Sequence, residues 1–122
     1  MTRVLVSGLS SITLLFAVAC GGAAVPHEKM AGAEAEMRAA EVGGARDVQQ
    51  AALHLKMASD QVAKAKALIE KNENEEAALV LDCAQVDAQY ALALAKEEAT
   101  KKEADAAAKQ VAELKRKASK QP

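Results

Sequence analysis

Met30, Ala33, Met37 and Ala40 recur at alternating steps of four and three, which draws one apolar stripe on a helix over His27 to Val42. Gly43-Gly44 ends that helix, because glycine accepts the left-handed geometry of a helix C-terminus. Asp47, with Gln50 three residues later, has the form of a capping box and predicts a second helix from Asp47 to about Lys71. In that helix Val48, Leu55, Val62 and Ile69 recur every seven residues, and Ala51, Ala58 and Ala65 each follow three residues behind. A seam that alternates a large aliphatic residue with alanine lets two backbones approach closely, as in a tight antiparallel pair. Asn72-Glu73-Asn74 reads as the next turn, with asparagine suited both to left-handed geometry and to capping.

A third helix begins near Glu75 and carries two apolar stripes. Ala77, Leu81, Ala84, Ala88, Ala91 and Ala95 form one; Leu79, Cys83, Val86, Tyr90 and Leu94 form the other. Asp82, Gln85, Gln89 and Lys96 mark the wet side between them. Two apolar faces call for two neighbours, so this helix is expected in the middle of three, with Tyr90 as the largest core side chain and Cys83 as a buried, inert thiol. After Lys96 the chain is charged, with Glu97–Lys101, Glu98–Lys102, Asp105–Lys109 and Glu113–Lys117 as acid-before-base pairs four apart. Ala104, Ala107, Val111, Leu114 and Ala118 keep a thin seam there, rotated from the core stripes. The expected fold is all-α: an antiparallel three-helix bundle with close alanine-lined seams over residues 28–96. The third helix is long and runs past the bundle as a charged extension over 97–122.

Composition narrows the functional classes. Of 122 residues 30 are alanine, and Phe16 and Tyr90 are the only aromatics, so the core is thin and no aromatic platform for bases or sugars exists. Net charge is −1 with both signs interspersed, which gives no reason to expect nucleic acid. The charge is divided, however: residues 28–95 sum to −5 and residues 96–122 to +3. His27 and His54 stand far apart with no metal-ligand spacing, and no nucleophile–base grouping or phosphate loop is present. No enzyme activity, cofactor, metal or small-molecule substrate is therefore expected.

The N-terminal stretch states where the chain is expected to reside. Arg3 precedes the uncharged apolar run Val4 to Ala19, the layout of a bacterial export signal over residues 1–19. The run ends in Ala17-Val18-Ala19-Cys20, which resembles the lipobox of bacterial lipoproteins. That resemblance implies diacylglycerol on the Cys20 thiol, acylation of its freed amine, and a glycine-rich lipid tether over residues 20–27. An uncleaved transmembrane helix and a soluble secreted protein are the competing readings. Because Gly21 is not the aspartate that retains lipoproteins in the inner membrane of enteric bacteria, the outer membrane is the favoured location, facing the periplasm.

The segment from about Ala33 to Lys96 resembles the small alanine-rich helical domain of unknown function found in lipoproteins of Gram-negative bacteria. The likeness is carried by Ala40-x-x-x-Gly44-Ala45, by the alanines of "AALHLKMASDQVAKAKAL", and by "EEAALVLDCAQVDAQYALALAK". Arg46-Asp47-Val48 stands where that family often has Tyr-Ala-Pro. The resemblance implies an envelope lipoprotein and carries no site residues, since the family has no assigned activity. Two functions follow as expectations. One is a lipid-anchored structural or adaptor protein whose C-terminal helix meets an envelope partner or a second copy of itself; the other is a small ligand carrier or minor enzyme.

Overall fold

The computed structural model describes residues 22–120, so the leader 1–19 and the lipidation candidate Cys20 lie outside the described residues. Three helices follow one another: α1 (His27–Val42), α2 (Gln49–Glu70) and α3 (Asn74–Ala118), with a 3-10 turn at Ala45–Asp47 between the first two. No strand occurs among the described residues. Gly44 makes the first turn with φ +86°, a conformation that a Cβ would strain. Asn72 makes the second with φ +61°, one of the few non-glycine residues that tolerate it. The capping box does not form: Asp47 closes the 3-10 turn, and Val48 takes the N-cap position of α2 with no side-chain cap. Asn74 opens α3 from inside, and its side chain is used elsewhere, as described below.

The helices run up, down and up. Lys29, Gly32 and Glu36 of α1 meet Asp82, Gln85 and Gln89 of α3 in steady parallel register. Residues of α2 meet α3 in descending order, with Lys64 against Glu76 and His54 against Asp87. The core is lined mainly by alanine. Ala33, Ala40, Ala51, Ala58 and Ala65 are fully buried, and so are Ala77, Ala84, Ala88 and Ala91. Leu81 is the largest side chain with no exposure, while Leu55, Val62 and Leu68 fill the layers from α2. Alanine buries little area per residue, so close backbone approach and dense contact must replace bulky side chains.

The arrangement around α3 corrects two expectations. The stripe Ala77, Leu81, Ala84, Ala88, Ala91 and Ala95 is buried throughout, and α3 packs on both other helices. Yet α1 does not cover the second apolar stripe. It lies on the polar side, where Lys29 pairs with Asp82 at 2.5 Å and Gln89 donates to Glu36 at 3.2 Å. Gly32 admits the Gln85 side chain at a point where any Cβ would collide with it. The polar side thus receives α1 at Asp82 and Gln85, which are half-buried, while Gln89 and Lys96 stay exposed as expected. Tyr90 and Cys83, expected in the core, are exposed.

Beyond Ala95 no residue of α3 is buried, and Lys101 to Lys120 are all exposed. Of the four acid–base pairs expected there, three close: Glu97–Lys101 at 2.6 Å, Glu98–Lys102 at 3.7 Å and Glu113–Lys117 at 2.9 Å. Lys115, Arg116 and Lys117 stand in the last turn, where positive charge complements the helix dipole. At 1.5 Å per residue the 45-residue α3 is about 67 Å long, roughly half of it outside the bundle.

Candidate functional site

Three features carry side chains that a packed bundle alone does not require. The first is the entry of the chain. Gly22 to Pro26 is irregular, and α1 starts directly after it. The Asn74 side-chain nitrogen donates to the Ala23 carbonyl at 2.6 Å, while its Oδ1 is buried without a partner. This bond ties the segment that follows Cys20 to the first turn of α3. The chain therefore enters at the α2–α3 turn, and the exposed extension leaves from the opposite end, beside the Gly43–Val48 turn.

The second is a polar cluster between α2 and α3. His54 Nδ1 lies 2.8 Å from Asp87 Oδ1, and Gln61 Nε2 donates to Asp87 Oδ2 at 2.8 Å. The Tyr90 ring meets the His54 ring edge-on, with centroids 4.6 Å apart and an angle of 85°. Both oxygens of the carboxylate are thereby used in joining two helices. Cys83 lies one turn before Asp87, exposed at the rim of an open groove that Gln61, Asp82 and Val86 also line. His27 is exposed at the start of α1. No three His, Cys, Asp or Glu side chains converge as a metal site among the described residues. Sequence spacing hid the cluster, because His54 and Asp87 are 33 residues apart and belong to different helices. The one available signal was Gln61, seven residues after His54 on the same flank of α2.

The third is the outer face of α3. Leu79, Val86, Tyr90, Val111 and Leu114 are 50–66% exposed, although each is large and apolar. All five fall on one heptad register. Its first line runs Leu79, Val86, Ala93, Thr100, Ala107 and Leu114, and its second Cys83, Tyr90, Glu97, Ala104, Val111 and Ala118. The thin seam of the extension is out of phase with the buried stripe but in phase with the exposed one. Together they make a single 3.5-residue repeat along nearly all of α3. Thr100 breaks it little, since its hydroxyl donates to the Lys96 carbonyl at 2.9 Å and the side chain has no unmet donor. Leu53 and Met57 of α2 are also exposed.

Elsewhere the surface is shallow. A groove of about 490 Å³ is open to solvent between α1 and α2, and its rim carries Glu41, Arg46, Lys56 and Asp60. The Arg46 guanidinium bonds Glu41 at 2.6 Å, and that bond raises its pKa above the ordinary value. Part of α3 is also long and apolar enough to cross a membrane, but α1 and α2 pack on that part and pair with its charges. No protein family, curated protein or solved structure matches this chain.

Proposed function

We propose that this chain is a lipid-anchored structural or adaptor protein of the bacterial cell envelope, held in the membrane at Cys20 and without catalytic activity. The observation that carries the reading is the placement of the two ends. The segment following the lipobox-like "AVAC" is tied at one end of the bundle by Asn74, and an exposed helical arm leaves the other. An anchor at one end and an interaction surface at the other is the layout of a spacer or adaptor. The helical bundle agrees with the resemblance to the alanine-rich domain of Gram-negative lipoproteins. On this reading the protein faces the periplasm, is sorted to the outer membrane, and meets its partner through α3. His54 and Asp87 serve as a clamp between helices.

The test is at Cys20. Cys20→Ser should move the protein out of the membrane fraction or leave it unprocessed, while the wild-type chain carries diacylglycerol on that thiol. Two or more acyl chains, each buried CH₂ contributing about 0.8 kcal/mol, give stable anchoring. An intact mass showing an unmodified Cys20 thiol and amine would end the proposal.

A further inference from the structure

We propose that the open seam of α3 is covered by a second copy of this chain running antiparallel, so that the charged extension of each copy lies along the bundle of the other. The inference does not depend on lipidation. It rests on the seam and on the charges that flank it.

A 3.5-residue repeat from Leu79 to Ala118, apolar except at Glu97 and Thr100, is the pattern of a helix that winds around another helix. Within the monomer it is left half or more exposed, with His54 touching only the Tyr90 edge, because the bundle buries another face of α3. The residues in the seam then select direction. A parallel pair in register would set Glu97 against Glu97 and Tyr90 against Tyr90. An antiparallel pair with the seams fully overlapped sets Glu97 opposite Thr100 of the partner subunit and Tyr90 opposite the partner's Ala107. Val86 meets the partner's Val111, and Cys83 meets the partner's Leu114. Large residues meet small or medium ones, and the charged layer sits at the centre beside the threonine.

The flanking charges agree. In this antiparallel register Lys96 lies beside the partner's Glu103, and Asp82, which already holds Lys29 of its own chain, lies beside the partner's Lys117; symmetry makes each contact twice. The parallel register would place Asp82 beside the partner's Asp87 and Lys96 beside the partner's Lys101, with both contacts repulsive. Such flanking positions set partner and orientation in paired helices. The whole-chain charge has the same sense: residues 96–122, at +3, are laid against residues 28–95 of the other copy, at −5.

The natural thiol of Cys83 provides the experiment, with Cys20 replaced by serine throughout. The full chain carrying Leu114→Cys, oxidised and run without reductant, should form a dimer whose linked peptides join Cys83 to position 114. That link must be intermolecular, because the two positions are about 46 Å apart on one helix. The chain with Leu114 intact should give no Cys83–Cys83 link, and adding Cys83→Ala to Leu114→Cys should remove the 83–114 link. Lys96→Glu should lower the crosslinked fraction severalfold, and Lys96→Glu with Glu103→Lys should restore it, because these two positions face each other only in the antiparallel pair. All these positions are solvent-exposed, so the fold should survive each change, and unchanged helical circular dichroism verifies this. A Cys83–Cys83 link, failure of the double swap to restore pairing, or links only to an unrelated protein would overturn the proposal.

Discussion

At the scale of single residues, the side chains that matter are small or polar. Gln85 faces Gly32 of α1, so Gln85→Trp has no room and should cost about 1–3 kcal/mol by overpacking. Val86→Trp, one position on, points outward and should leave the unfolding temperature of the monomer nearly unchanged. Ala84→Trp and Ala88→Trp should behave like Gln85→Trp, since both sites are fully buried. Thermal unfolding of the four variants separates the faces of α3, and equal loss at all four would contradict the packing. Asp87→Ala strands both His54 and Gln61 and should cost about 1–3 kcal/mol, whereas Cys83→Ser on the exposed face should be nearly silent.

At the scale of elements, the helices and their buried stripes were legible from periodicity alone. The alanines at 51, 58 and 65 and the stripe from Ala77 to Ala95 are buried as their spacing requires. The neighbour of each face of α3 was not legible. Leu79, Val86 and Tyr90 announce an apolar face, but periodicity does not say whether this chain or another covers it. Gln85 looks wet until Gly32 on α1 makes room for its side chain between the helices. The extension, by contrast, behaves as its charges suggest. A chain stopped after Lys96 should lose helical signal in proportion to length while the bundle, measured at concentrations too dilute for pairing, unfolds at nearly its original temperature, since nothing beyond Ala95 is buried within one copy. The extension should also respond to acid. The Lys101 ammonium, through its hydrogen bond, holds the Glu97 carboxyl below its ordinary pKa of 4.5. That contribution to helicity is complete above about pH 4.5 and is lost as pH falls through the lowered value. Circular dichroism of the full chain across this interval checks the sign, and Glu97→Gln should flatten the response.

For the whole molecule, the proposed attachment at Cys20 rests on local sequence alone, and that residue lies outside the described residues. The polarity of the molecule required the fold, because the parallel register of α1 on α3 and the contact between Asn74 and Ala23 fix the end at which the chain enters. That contact has a metric consequence. In the antiparallel pair the two entry points sit at opposite extremities, separated by about 70 Å of helix. Two attached copies would then act as a rung, lying flat along one leaflet or holding two facing surfaces at a set distance. Helix pitch alone would determine the gauge. Excising one heptad of the exposed arm keeps the repeat in phase and should shorten the rung by about 10 Å, readable as the distance between spin labels placed at Gly22 in each copy.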